Sequence, residues 1–414
     1  SSVQRGNAEM QRRVQEVLNT LSGLENKIIE SIHDVGAGGL SNAIPEIVND
    51  SNLGGHIDLN KIPSADPALS PMELWCNESQ ERYVLIVKKE NLNIFNNICR
   101  RERAPFAVIG ATTLEKRLKV ENPVLGQKIV DLPLSILFKK EKLKISCSSL
   151  SERNYVSDDN LDNQIERNLL SVLTHPSVAD KRFLITIGDR TVGGLTATDQ
   201  MTGPWQVPIS NCAVISDSFL SPHGTAMAVG ERGPMSCLNS PAAARLTIAE
   251  TITNLLAANI TKLEDISISA NWMCASDEKQ ELSNLYEMVK TVGLDMCPKL
   301  GINIPVGKDS MSMKTVWEKI DKSGNHETLA PTTLIATGAA KVSSVNLTLS
   351  PFLKKQTGTL LLVIDLGLSK NRLGGSILDQ ISEESFGETP DIEQIDCLIE
   401  LFTVIKQLRN QELI

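Results

Sequence analysis

Asp34 stands directly before a glycine-rich turn, in the run His33-Asp-Val-Gly-Ala-Gly-Gly-Leu40. Three glycines in four residues let backbone N–H groups come close to an anion, and the apolar helical pattern from Leu40 to Val48 would add the positive end of a helix. Asp34 is then placed to hold Mg²⁺ against phosphate oxygens, a hard ligand for a hard ion. The same residues also fit a ligand-free strand-to-helix turn, and His33 fits a packed, hydrogen-bonded histidine. The run is neither a Walker A loop nor the dinucleotide fingerprint.

Other residues with chemical potential sit further along. Asn77-Glu-Ser-Gln-Glu81 gathers hydrogen-bonding side chains before the strand pattern Arg82 to Val87. Such a cluster suits ribose hydroxyls or an amide, and it equally suits a solvated turn. Gly307-Lys-Asp-Ser310 follows the apolar stretch Ile302 to Val306 and so ends a strand. Glycine permits close approach, lysine offers a point charge for phosphate, and serine can bond a substrate oxygen; a plain hairpin turn reads the same way. Gly188 to Gly194 and Thr198 to Pro204 are polar, glycine-bearing loops that either wrap a triphosphate or connect strands. Glu250 and Asn254, four apart on a predicted helix, share a face and could share one Mg²⁺, or could belong to an ordinary solvated face. No serine, histidine and aspartate set or Cys/His zinc spacing can be read.

These residues need scaffolding of two kinds. Helical periodicity runs over 8–30, 40–48, 90–100, 242–258, 278–292 and 392–411, and strand patterns over 82–87, 106–110, 117–120, 266–270 and 332–337. Strand followed by helix recurs from Thr359 to Ile364 onward, which predicts a third module and a duplicated α+β architecture. The Ser, Asp and Asn-rich stretch 146–165 reads as a linker. A 414-residue chain with 41% hydrophobic and 22% charged residues has the length for two or three cored domains. A net charge of -9 gives no footprint for nucleic acid or an anionic membrane. Eight cysteines without a CxxC pair fit reduced thiols of a cytoplasmic protein.

Taken in order, Ser2 to Asn7, His33 to Ala43, Trp75-Cys-Asn-Glu-Ser-Gln-Glu-Arg82, Asp199 to Pro208 and Ile304 to Met313 resemble the long, single-chain form of formylglycinamidine ribonucleotide synthase. The resemblance implies an α+β fold of tandem, duplicated PurM-like lobes, each pair a ferredoxin-like N-terminal lobe plus an α/β C-terminal lobe, truncated here at both ends. On it, 1–30 is the tail of the first N-terminal lobe, 31–145 the first C-terminal lobe and 146–180 a linker. Residues 181–345 form the second N-terminal lobe and 346–414 the start of the second C-terminal lobe.

The same resemblance implies a substrate role for Gln4, Glu78, Ser79, Gln80 and Ser310. It implies nucleotide contacts for Gly307, Lys308 and Ser210, and metal contacts for Asp34, Glu250, Asn254 and Asn211. Asn211 departs from the family pattern, since an aspartate is usual there. The implied small molecules are Mg²⁺, ATP at the active site and ADP at an auxiliary structural site. The implied partners are formylglycinamide ribonucleotide and ammonia from a glutaminase domain, in an enzyme expected to be monomeric at full length. No glutaminase nucleophile is found in the sequence, so the chain alone is expected to be inactive. A non-enzymatic scaffold and a neighbouring ATP-using synthase are the competing readings.

Overall fold

The computed structural model describes residues 7–79, 82–138, 165–188, 194–319, 324–353, 357–382 and 386–414. The chain divides into two compact units, 1–143 and 144–414. The expected linker falls mainly on 146–164, outside the described residues; its remainder opens a helix.

The first unit runs α1 (Ala8–Ser22), β1 (Ile29–Asp34), α2 (Leu40–Asp50), β2 (Gly54–Asp58), α3 (Pro71–Cys76), β3 (Tyr83–Val87), α4 (Leu92–Arg101), β4 (Gly110–Thr113), β5 (Arg117–Asn122), β6 (Gln127–Pro133) and α5 (Leu134–Leu137). Asn7 caps α1 by accepting the Met10 N–H at 3.0 Å. The helix stops at Ser22 rather than continuing to residue 30, because Ile29 to Asp34 is drawn into antiparallel pairing with β3. A four-stranded sheet in the order β4-β2-β5-β6 packs its apolar face on α2. Leu40, Ile44, Ile47 and Val48 recur at helical spacing and are all buried there. Each contributes on the order of 2 kcal/mol of transfer free energy. A second cluster joins Val17 and Leu21 to Phe95, Ile98 and Cys99, which sets α1 against α4.

The strand expected at 106–110 does not form. Phe106 instead meets Phe95 edge-on, with ring centroids 5.0 Å apart, and pairing starts only at Gly110. There a Cβ would lie 2.2 Å from the His56 carbonyl oxygen, so the two backbones approach too closely for a side chain.

The second unit runs α6 (Ile165–Thr174), α7 (Arg182–Thr186), β7 (Thr196–Thr198), β8 (Cys212–Ser216), β9 (Gly224–Glu231), α8 (Ser236–Leu255), β10 (Ser267–Met273), α9 (Lys279–Lys290), α10 (Cys297–Leu300), β11 (Asn303–Ser310), β12 (Lys314–Glu318), β13 (Asn325–Leu329), β14 (Thr333–Val342), α11 (Ile377–Ile381) and α12 (Ile395–Asn410). A π-helical stretch, Thr291–Met296, joins α9 to α10. Six strands form one sheet, β11-β10-β14-β9-β8-β7, antiparallel except for the β10–β11 pair. Alternation along β14 buries every second side chain, and α8 covers the buried face with Ala243, Ala244, Ile248, Ile252 and Leu255. Glycines let the helix sit close. A Cβ on Gly230 would fall 2.2 Å from the Thr247 carbonyl oxygen, and Thr251 donates to the Ala336 carbonyl at 3.1 Å.

Thr359 to Ile364 does not form the strand its composition predicts. Leu360 to Ile364 are between 53% and 94% exposed, and no ladder partner lies beside them among the described residues. A β-branched, apolar run becomes a strand only when backbone partners are available. The segment beyond it is nevertheless tied down, because Arg245 of α8 grips Asp391 through Nε at 2.8 Å and Nη2 at 2.5 Å. Both side chains are largely buried, and Asp391 raises the guanidinium pKa above its ordinary value. Arg245→Ala would strand the Asp391 carboxylate, so urea unfolding of the second unit is expected to shift by about 2–3 kcal/mol. A shift under ~0.5 kcal/mol, the level of an exposed pair, would show that the fork is dispensable. No helix among the described residues is long and apolar enough to cross a membrane.

Candidate functional site

In the first unit the β1–β3 register builds the site. Asp34 pairs with Tyr83 and the Val35 N–H donates to the Arg82 carbonyl at 3.0 Å, so residues after 34 run opposite residues before 83. The glycine turn and the Asn77-Glu-Ser segment, 40 residues apart in sequence, therefore meet. Gly38 N–H donates to Glu78 Oε1 at 3.1 Å. Gly39, at φ +65°, passes so close to Asn77 that a Cβ would lie 2.1 Å from its carbonyl oxygen. The N-terminal end of α2 thus already faces one carboxylate, and that is the end where backbone donors and the helix dipole favour negative charge.

Asp34 leaves its carboxylate 75% exposed at the start of this turn. His33 does not share that freedom. Its Nδ1 lies 2.8 Å from the Asp34 carbonyl oxygen and its Nε2 lies 2.9 Å from Glu46 Oε2, so the ring fastens β1 to α2. Ser79 folds back on Asn77: its N–H donates to Asn77 Oδ1 at 2.7 Å, and its hydroxyl donates to the same oxygen. Asp34 opens the glycine turn that Glu78 reaches, with Ser79 next to it in sequence, while Gln4 and Gln80 lie outside the described residues. One exposed carboxylate fits a Mg²⁺ whose remaining ligands are phosphate oxygens and water, the usual manner for that ion.

In the second unit, Glu250 and Asn254 do share a face of α8, and that face is stitched to β9. Glu250 Oε2 accepts the Glu231 N–H at 2.9 Å, and its other oxygen lies 2.8 Å from Arg232 Nη2. Asn254 Nδ2 donates to the Val229 carbonyl at 3.0 Å. Ser210, Asn211 and Asn254 line a cavity of about 370 Å³ beside Thr253, Leu256 and Leu401. Ser210 Oγ donates to the Cys212 carbonyl at 2.9 Å. Burial pushes the neighbouring Cys212 thiol up to about 11, so it stays protonated and is no nucleophile at neutral pH.

Glu250 is already neutralised by a guanidinium, Asn211 offers an uncharged oxygen, and no group of three or more His, Cys, Asp or Glu able to hold a metal is found among the described residues. Arg232, in the run Gly230-Glu-Arg-Gly-Pro234, carries no motif or spacing signal.

Gly307, Lys308 and Ser310 lie within β11, an outer strand of the sheet, rather than in a turn after it. Gly307 is required by packing, since a Cβ would sit 2.3 Å from the Ala270 carbonyl oxygen of β10. Lys308 and Ser310 share a strand face, and Lys308 Nζ donates to Ser310 Oγ at 3.0 Å. A cation and a hydroxyl are therefore paired on an exposed strand.

Comparison with known proteins agrees with both halves of the chain. Residues 180–341 match the FGAR-AT PurM_N-like domain, and residues 1–122 match the C-terminal domain of AIR synthase related proteins. Among solved structures, Thermotoga maritima PurL complexed with FGAR is similar at 16% identity and a TM-score of 0.63, covering 99% of this chain and 56% of that one. T. maritima PurL complexed with ADP is similar at 17% identity and a TM-score of 0.61, covering 84% and 52%. A structure described as phosphoribosylformylglycinamidine synthase II from Thermotoga maritima gives 17% identity and a TM-score of 0.59 over the same shares, 84% and 52%. The chain spans about half the length of these relatives. Mixed α+β units carrying these two domains define a protein of the PurM-like, AIR synthase-related class. Within that class residues 180–341 belong to the FGAR-AT PurM_N-like family, and the chain shares its fold with T. maritima PurL.

Proposed function

We propose that the chain serves the ATP-dependent conversion of formylglycinamide ribonucleotide to formylglycinamidine ribonucleotide, a step of purine synthesis. The observation that carries this is the exposed Asp34 carboxylate at a glycine turn pinned against Asn77 and Glu78. Relatives solved with FGAR, ADP and ATP support the same ligands here.

In the proposed reaction the amide oxygen of the substrate takes the γ-phosphoryl group of ATP, releasing ADP and leaving an iminophosphate. Ammonia, released from glutamine by hydrolysis in a glutaminase domain, then adds to that carbon, and phosphate departs. Bound Mg²⁺ would neutralise phosphate charge, with Asp34 as its protein ligand. Beyond that, the chain's own contribution is positioning, the main resource in phosphoryl transfer. In the first unit Glu78 and Ser79 would contact the ribonucleotide; in the second unit, taken by itself, Lys308 and Ser310 offer a cation and a hydroxyl suited to phosphate. The cavity at Ser210, Asn211 and Asn254 is the proposed seat of an auxiliary ADP, held without help from a carboxylate at Asn211.

The test is ADP release by the complete enzyme with ammonium chloride as nitrogen source. Release that requires both ATP and formylglycinamide ribonucleotide, at a turnover near ~1–10 per second, is the expected outcome. Release that is indifferent to the ribonucleotide contradicts the assignment.

A further inference from the structure

Arg82 is placed to act on the site without touching its ligands. It lies just before β3, and its carbonyl accepts the Val35 N–H, which continues the β1–β3 ladder to the glycine turn. Its side chain turns back along the chain. Nε donates to the Ser79 carbonyl at 2.6 Å and Nη2 donates to the Asn77 carbonyl at 2.7 Å. Both bonds go to main-chain oxygens rather than to a carboxylate. A planar fork with fixed N–H directions can hold two carbonyls two residues apart; a lysine ammonium, one point charge on a flexible stem, cannot fix both. Burial depresses the guanidinium pKa, so part of its hydration has been exchanged for these bonds.

The gripped atoms are the ones that define the site. The Asn77 carbonyl is the group against which Gly39 is packed. Asn77 Oδ1 holds both donors of Ser79, and between them Glu78 reaches the Gly38 N–H. Freeing the two carbonyls would let the Asn77–Ser79 segment rotate, and Glu78 and Ser79 would move with it.

We propose that Arg82 is a positioning residue that clamps the Asn77–Ser79 segment over the glycine turn and thereby sets the affinity for the ribonucleotide rather than for ATP. The clamp is read from geometry, and its consequence for affinity rests on the function proposed above.

The test uses the complete enzyme with ammonia as donor, comparing wild type, Arg82→Lys and Arg82→Ala. Arg82→Ala is expected to raise KM for formylglycinamide ribonucleotide about 10- to 100-fold, the scale of a small misplacement of binding groups, with KM for ATP within about twofold. Arg82→Lys should fall between the two, and added methylguanidine should restore part of the loss in Arg82→Ala. Amide hydrogen exchange is measured in parallel, and Gly38 and Ser79 are expected to exchange at least ~10-fold faster in both variants. A ribonucleotide KM within about twofold of wild type in a folded variant overturns the proposal, as does equal damage to both substrates without rescue. Where Arg82→Ala does not fold, Arg82→Lys decides. Unchanged exchange at Gly38 and Ser79 overturns the clamp even if the wild type proves inactive on this substrate, a result that would itself contradict only the function.

Discussion

Asp34→Asn in the complete enzyme is expected to lower turnover about 100-fold or more, equally with ammonia and with glutamine, while the melting temperature stays unchanged. The Asp34 carboxylate is 75% accessible, and its one ion-pair contact is a loose one, 3.8 Å from His33 Nδ1. Asparagine keeps the shape and one oxygen, and it removes the charge that a hard cation and its phosphates would feel. Because ammonia would bypass the proposed glutaminase step, equal losses with both donors would place the defect in the ATP-dependent step. Ammonia-dependent turnover at the wild-type level would remove Asp34 from the proposed reaction.

The second large effect falls on stability. Gly39→Ala is expected to destabilise the first unit by about 3–5 kcal/mol, while Gly38→Ala should cost only about 1–2. Both glycines have positive φ, +80° at Gly38 and +65° at Gly39, so both alanines carry backbone strain. What separates them is space. The new methyl at 38 would meet the Asn42 Cβ at 3.2 Å, a contact that can relax by a few tenths of an ångström. At 39 it would meet the Asn77 carbonyl oxygen at 2.1 Å, and that oxygen is held by Arg82. Urea unfolding followed by a first-unit probe, such as the buried Trp75, separates the cases. Equal midpoints for the two variants would show that the turn and the Asn77 segment do not press on each other.

How far these contacts were legible in the sequence depends on their range. The helix from Leu40 and the strand from Tyr83 follow from local periodicity, since Leu40, Ile44, Ile47 and Val48 mark one face and Tyr83 to Val87 are uniformly apolar. Asp34 was visible as a carboxylate before glycines. What joins Asp34 to Glu78 is the register Asp34–Tyr83, a long-range pairing that no local pattern encodes. Arg82 closes the Trp75–Arg82 motif, yet its role depends on the direction in which its side chain folds back.

The second unit teaches the same lesson in reverse. Helical spacing places Glu250 and Asn254 on one face, but it could not reveal that Arg232 reaches Glu250 from the end of β9. Likewise Leu360 to Ile364 reads as a strand by composition, but strand formation is decided by a ladder partner, and none is present among the described residues. Gly307 illustrates a residue with two readings that are both physical. It permits the approach of β10, so its glycine identity needs no phosphate to explain it.

The most direct test of the central claim is amide hydrogen exchange on the first unit with and without formylglycinamide ribonucleotide. Exchange at Gly38, Gly39 and Ser79 is expected to slow on addition of the ribonucleotide, with α4 and the β5–β6 hairpin unaffected. Protection confined to other segments, or none at saturating ribonucleotide, would contradict that claim.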